Sequence, residues 1–436
     1  MTNKEIEKVV NLGKNIYIVG IKGAGVAGLA QILKAKGYNI TGSDTKEKFF
    51  TDALLKKAGI KFHEGFNAKN IPKNANFAIS SNAYLIPPIT NPEILEIKKR
   101  GVPLLSYPEA LSCIFNKSYG IAIAGAHGKT TVTALLAFIL KYAGLNPTAL
   151  IGSETINFKS NVLTNPRSSA RKAPKSQNEN DIFVLEADEY KEAFLRYHPN
   201  IILILNTDWD HPDYFKSHAD YLSSFDKFKK KLKKGGRIFE PKDWQKTKGE
   251  WKTKLIGKHN IQNTKAAIAV ARHLGIKDST IREAVSKFKG TKRRLEIIGK
   301  WRGNIVIDDY GHNPQKVKAG LEALKETYPG KNLIAIFQPH TYSRTEQFLK
   351  DFAESLIIAN KIYLLDIYAS AREAKGSVTS GDLVDEIRKL GRSAENLKTI
   401  GNALKLLRRN PPKNSVIVAM GAGDVGNIAS KLINFE

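Results

Sequence analysis

A lysine and two threonines that directly follow a short glycine loop are suited to hold a triphosphate. Such a group occurs in AIAGAHGKTT, residues 122–131, between an apolar run and a helical pattern. There the backbone of Gly125, Ala126, His127 and Gly128 can cradle phosphate oxygens. Lys129 can reach the β- and γ-phosphates, and the Thr130 hydroxyl can ligate Mg²⁺, with Thr131 beside it. The stretch departs from the common G-x-x-x-x-G-K-[ST] pattern, because Ile123 stands where the first glycine would be.

A second loop lies upstream. In GIKGAGVAG, residues 20–28, Gly23, Gly25 and Gly28 have the G-x-G-x-x-G spacing, with Ala24 inside it. Glycines there allow a tight turn and let amides approach a pyrophosphate at the positive end of a helix. Asp44, in TGSD, follows about 20 residues on, where a ribose-binding acid is expected. The same glycines also suit a turn made for packing, and the motif does not say which nucleotide binds.

A magnesium site needs hard oxygen ligands near the phosphates. VLEADEY offers Glu186, Asp188 and Glu189, and NTDWDHPDYF offers Asp208, Asp210 and His211. Each cluster follows an apolar run, and open α/β sheets place their ligand sites at the carboxyl ends of strands. Further on, GKHNIQN carries His259, Asn260 and Asn263 at a helix start, where asparagine is also an ordinary cap. GTKRRLE adds Arg293 and Arg294, DDYGHNP adds Asp308, Asp309, Tyr310 and His312, and FQPHTYSRT adds His340 and Arg344.

These residues must be positioned by the elements around them. Short β-rich runs include NIYIVG, NFAISS, GIAIAG, DIFVLEAD, IILILNTD, NIVIDDY, NLIAIFQ, KIYLLDIY and SVIVAMG. Helical patterns such as VAGLAQILKAKG and TTVTALLAFILKYAG follow most of them. Strands followed by helices predict an α/β protein with parallel, doubly wound sheets. Three blocks emerge: 1–117, 118–290 and 291–436. The polar segment Thr164–Asp181, rich in serine and proline, reads as a mobile surface loop.

Composition bounds the reading. A chain of 436 residues with 42% hydrophobic residues has material for several cores. One cysteine, Cys113, excludes an internal disulfide framework and fits a reducing compartment. The first residues lack an apolar signal core, and no window reaches a membrane span of about 20 apolar residues, so a cytoplasmic protein with no membrane partner is expected. The charge of +27 raises nucleic acid as a partner. But the lysines are scattered, and the densest run, KFKKKLKKGGR at residues 227–237, reads as a solvated helix end. The residue pattern specifies no oligomeric state.

Together, GIKGAGVAGLA, GSD, SSNA, NPEI, AGAHGKTT, EADEY, DHPDYF, GKHNIQN, DDYGHNP, FQPHTYSRT and GAGDV occur in the order seen in the Mur ligase family. The resemblance covers almost the whole chain, and DDYGHNP and FQPHTYSRT resemble the alanine-adding branch. It implies three domains: a Rossmann-like UDP-sugar domain at 1–117, a P-loop ATPase domain at 118–290 and a Rossmann-like domain at 291–436. It implies joining of L-alanine to UDP-N-acetylmuramate with ATP and Mg²⁺, in peptidoglycan precursor synthesis.

By resemblance, Gly23, Ala24, Gly25, Gly28, Asp44, Ser81 and Asn82 bind the UDP-sugar. Gly125 to Thr131 bind ATP, with Asn263 at adenine, Asp309 at the ribose and Arg294 near the phosphates. Thr130, Glu186 and His211 hold metal. Tyr310, His312 and Arg344 meet the amino acid, and Lys129, His312 and Arg344 form the catalytic group. Two departures stand out: Lys191 stands where many relatives have an acid, and Thr341 stands where some alanine ligases have an arginine, which leaves Arg344 as the better carboxylate clamp. Two other readings are a recycling ligase that takes a ready-made murein peptide, and a nucleic-acid-dependent P-loop ATPase. The base that deprotonates the amine is not legible.

Overall fold

Among the described residues, seventeen strands form three sheets, and nearly continuous apolar runs suit strands that are covered on both faces. The computed structural model describes residues 3–164, 181–211, 214–369 and 376–434. The segment expected to be a mobile loop, Thr164–Asp181, lies outside the described residues except at its two ends. Contacts divide the chain into two compact units: 1–253 with 262–289, and 254–261 with 290–436.

The first unit holds two sheets. The first comprises β1 (Asn15–Val19), β2 (Asn39–Asp44), β3 (Lys61–Glu64), β4 (Phe77–Ser80) and β5 (Leu104–Ser106), all parallel, in the order β3-β2-β1-β4-β5. Along β1, Ile16 and Ile18 enter one core while Tyr17 and Val19 enter another. This is the period of two that a doubly covered strand requires. The second sheet comprises β6 (Tyr119–Ala124), β7 (Thr148–Thr155), β8 (Ser160–Leu163), β9 (Ile182–Glu186), β10 (Ile201–Ile204) and β11 (Arg237–Phe239). Its order is β11-β10-β6-β9-β7-β8, and only β8 runs antiparallel.

These two sheets share a core, in which Ile18, Leu29 and Ile79 join Leu150, Val162 and Leu185. The helix Ala24–Ala35 packs directly on β7 and β8. A Cβ on Gly28 would sit 2.1 Å from Leu150 Cδ1 and 3.1 Å from Val162 Cγ2. The third glycine of the G-x-G-x-x-G spacing is therefore needed for close approach to the other sheet.

The second unit holds β12 (Glu296–Trp301), β13 (Asn304–Asp309), β14 (Asn332–Phe337), β15 (Lys361–Leu365), β16 (Ala394–Lys398) and β17 (Ser415–Met420). The order is β12-β13-β17-β14-β15-β16, with β12 antiparallel to β13 and the rest parallel. Leu333, Ala335 and Phe337 of β14 face one core, and Ile334 and Ile336 face the other. Among the described residues, no helix is long and apolar enough to cross a membrane.

Candidate active site

In the first unit, the two glycine loops sit at the carboxyl ends of β1 and β6, where parallel strands leave backbone groups for ligands. The first loop leads into the helix Ala24–Ala35, with Gly23 as its cap. A Cβ on Gly25 would sit 2.5 Å from the Tyr107 hydroxyl. Asp44 ends β2 but turns inward. Its carboxylate accepts from Lys22 N at 2.7 Å, Thr45 N at 2.8 Å and the Tyr84 hydroxyl at 3.2 Å. The fully buried Lys22 Nζ donates to the carbonyls of Thr45 and Glu47 at 2.9 and 2.8 Å. Asp44 thus clamps the glycine loop to β2. Ser81 and Asn82 follow β4, and Ser81 Oγ accepts from Ala83 N.

The second loop runs from Gly125 to Gly128 and heads the helix Lys129–Tyr142. Gly128 has φ +86, which favours glycine, and a Cβ there would sit 2.3 Å from Asn263 Oδ1. Asn206, two residues past β10, holds the loop from outside: His127 N donates to its Oδ1 and its Nδ2 donates to His127 O, both at 3.0 Å.

Two acid groups face this loop. Glu186 ends β9, and its carboxylate accepts from the Thr130 hydroxyl at 2.9 Å and from Gly152 N at 2.8 Å. Glu189, fully buried, accepts two bonds from Lys129 at 2.8 and 3.0 Å and one from Tyr221 at 3.3 Å. Burial opposes the charge on Lys129. Glu189, Asp188 and Glu186 outweigh that and lift its pKa above the ordinary lysine value. His211 Nε2 lies 3.8 Å from Glu189, and ligand atoms of Asp188, Glu189 and His211 fall within 4.8 Å of one another.

In the second unit, Asp309 ends β13 and accepts from Leu295 N at 2.9 Å and Gly311 N at 2.7 Å. The Tyr310 ring lies beneath the guanidinium groups of Arg293 and Arg294, at 5.0 and 5.4 Å. His312 Nδ1 lies 2.8 Å from the Tyr310 carbonyl, so it carries the hydrogen and leaves Nε2 as an acceptor. Burial, with Lys316, Arg344 and Arg294 nearby, pushes the His312 pKa down to about 3. This imidazole is neutral at pH 7 and accepts a hydrogen bond more readily than it keeps a proton.

Comparison with known proteins places the chain in a family. Residues 15–119 match the model "Mur ligase family, catalytic domain", residues 123–245 match "Mur ligase middle domain", and residues 293–423 match "Mur ligase, glutamate ligase domain". A UDP-N-acetylmuramate–L-alanine ligase from Desulfitobacterium hafniense is 33% identical over 96% of this chain and 99% of its own. The chain belongs to the Mur ligase family. A ligase of the same name from Lactobacillus acidophilus is 38% identical over 96% of this chain and 98% of its own. Among solved structures, a UDP-N-acetylmuramate–alanine ligase from Thermotoga maritima aligns with TM-score 0.77 at 23% identity, covering 96% of this chain and 98% of that one. A murein peptide ligase from Psychrobacter arcticus aligns with TM-score 0.65 at 22% identity, covering 97% and 98%. These two likenesses concern the fold.

For a Mur ligase, the expected metal set of Thr130, Glu186 and His211 falls into two groups. Thr130 joins Glu186, whereas His211 joins Asp188 and Glu189. Both groups offer hard oxygen donors, which fits magnesium. Glu189, Tyr221, Asn206, Gly152 and Tyr107 were not singled out as binding residues by the sequence, apart from Glu189 as one acid among several. Their neighbours come from strands and helices distant in the chain, so spacing carries no signal for them.

Asp308 is expected to give this Mur ligase a pH-dependent stability. Its buried Oδ1 makes no hydrogen bond, and Arg293 Nε is 3.7 Å away. Burial raises the carboxyl from 3.8 to about 6. Arg293 opposes the rise, and Glu296 and Asp309 add to it. A raised folded-state value means that the contribution is present below the unfolded pKa and lost as pH rises through about 6. Relative to Asp308→Asn, the wild type should therefore lose about 2–3 kcal/mol of stability between pH 4 and pH 7. Urea unfolding of both proteins across that range checks it, and a constant difference would refute the assignment.

Proposed function

We propose that this Mur ligase joins L-alanine to the lactyl carboxylate of UDP-N-acetylmuramate with ATP, yielding ADP and phosphate in peptidoglycan precursor synthesis. The reading is supported by full-length similarity to ligases of that name. The observation that carries it is the Lys129–Glu189 and Thr130–Glu186 pairing at a glycine-headed helix. A carboxylate is a poor acylating agent because its oxygen leaves badly. Attack of that oxygen on the γ-phosphorus of ATP breaks the bond to ADP and makes an acyl phosphate. The alanine amine then attacks the acyl carbon, and phosphate departs through a tetrahedral intermediate.

This chain's residues have definable parts in that sequence. Amides of Gly125 to Gly128 and the Thr131 region bind the phosphates, and Lys129 neutralises charge on the transferring phosphoryl group. Thr130 and Glu186, with His211 beside Asp188 and Glu189, would hold magnesium, which supplies charge neutralisation at the phosphates when bound. Asn263, Arg294 and Asp309 serve ATP. Gly23, Ala24, Gly25, Gly28, Ser81 and Asn82 serve the UDP-sugar, and Asp44 acts through the loop it clamps. Tyr310, His312 and Arg344 serve the amino acid, with Arg344 suited to its carboxylate. Domain boundaries near 117 and 290 and a cytoplasmic location belong to the same reading.

The test is phosphate release with UDP-N-acetylmuramate and a panel of L-alanine, glycine, L-serine and a murein tripeptide. Release should require the UDP-sugar and an amine together and be fastest with L-alanine. Strong preference for the tripeptide would assign the recycling reaction instead. Stimulation by DNA or RNA without the UDP-sugar would remove the ligase reading.

A further inference from the structure

We propose that Asn161 is a positioning residue that couples the UDP-sugar loop to the Glu186 carboxylate of the ATP site; the inference rests on the ligase reading above. Asn161 lies on β8, is fully buried, and spends both ends of its amide on the first glycine loop and its helix. Its Nδ2 donates to the Ala24 carbonyl at 2.9 Å. Its Oδ1 accepts from Gln31 Nε2 at 3.3 Å, and Gln31 also donates to the Ala27 carbonyl at 3.1 Å. A buried amide satisfied at both ends is held in one orientation, since breaking either bond strands a polar group.

From Asn161 the connection continues through backbone ladders. β8 pairs with β7, with Leu150 opposite Val162, and β7 pairs with β9, with Leu150 beside Leu185. The next residue of β9 is Glu186. Its carboxylate is pinned by Gly152 N of β7 on one oxygen and meets the Thr130 hydroxyl on the other. A Cβ on Gly152 would sit 2.6 Å from Glu186 Oε2, so this contact also depends on a missing side chain. At the opposite end, Gly28 lies against Leu150 and Val162 with no room for a methyl group.

The steps between the Ala24 carbonyl and the Thr130 hydroxyl are thus hydrogen bonds, strand pairings and adjacent residues, with the β7–β8 register shifting between Leu150 and Thr155. Reaction requires the sugar's carboxylate and the γ-phosphate to meet within about 3–3.5 Å, so the separation of the two loops must be held closely. Asn161 sets that separation from the sugar side. Binding at one loop then changes affinity at the other, and by linkage the effect is reciprocal.

Calorimetric binding of a non-hydrolysable ATP analogue with Mg²⁺, with and without saturating UDP-N-acetylmuramate, tests the coupling. In the wild type the UDP-sugar should tighten the analogue about fivefold or more. In Asn161→Ala and Asn161→Asp that factor should fall below about 2, while the analogue alone binds within about twofold of wild type. Gln31→Ala, at a half-buried position on the helix, should give an intermediate factor and covers the case in which the Asn161 variants do not fold. A wild-type factor near one, or an undiminished factor in folded Asn161 variants or in Gln31→Ala, would overturn the inference. Failure of the wild type to bind UDP-N-acetylmuramate at all would overturn the ligase reading and this inference with it. The phosphate-release assay on the wild type tells the two failures apart.

Discussion

Replacing Lys129 with alanine should abolish phosphate release that depends on UDP-N-acetylmuramate and L-alanine, with a loss of about 10²–10³-fold or more. The ammonium donates to Gly125 O of the glycine loop at 2.5 Å. The same substitution leaves Glu189, which has no exposure to water, without its main cationic partner. Removing one member of a buried pair costs about 3–5 kcal/mol, an upper figure here because Tyr221 still donates to Glu189. The double variant Lys129→Ala/Glu189→Gln should recover much of that stability in urea unfolding and none of the turnover. This separates folding from chemistry. Undiminished turnover in folded Lys129→Ala would remove the phosphate-loop assignment.

Glu186→Gln is the second change with a large expected effect. Glutamine keeps the shape of the side chain and can still accept from Thr130 or Gly152, but it loses the charge that would face magnesium. We expect kcat to fall about 10²-fold, and the Mg²⁺ concentration for half-maximal activity to rise about tenfold or more. Titrating Mg²⁺ at saturating substrates measures both quantities. An unchanged Mg²⁺ requirement would place the metal with Asp188, Glu189 and His211 alone.

Much of this geometry was legible before any coordinates. The runs NIYIVG, GIAIAG, DIFVLEAD and NIVIDDY are nearly all apolar because their strands are covered on both faces, and each leads into a segment of the candidate site. Strands such as β3, β8 and β16 were not legible. They lie at sheet edges, and in β3 and β16 exposure admits polar residues that blur the apolar signal. Asn161 of β8 was hidden for another reason: it is a buried polar residue whose partners, Ala24 and Gln31, lie far away in the chain. The pairing of acids was also hidden. Glu186 is still part of β9, whereas Glu189 lies three residues beyond the strand's end, and it is Glu189 that meets Lys129. Asp44 fits a ribose-binding spacing, yet its carboxylate is used by Lys22 N, Thr45 N and Tyr84. Spacing alone does not tell an acid that faces a ligand from one that closes a turn.

The Lys129–Glu189 contact makes nucleotide entry an exchange reaction. A phosphate that takes the ammonium displaces a carboxylate, and that carboxylate is too deeply enclosed to be rehydrated. The incoming ligand must therefore bring a replacement counter-ion or leave Glu189 stranded. Bare anions such as sulfate offer none, whereas a triphosphate escorted by a divalent ion does, with Asp188 and His211 already beside Glu189 to receive it. A bare anion is therefore expected to bind at this loop more weakly than a triphosphate that carries a divalent ion.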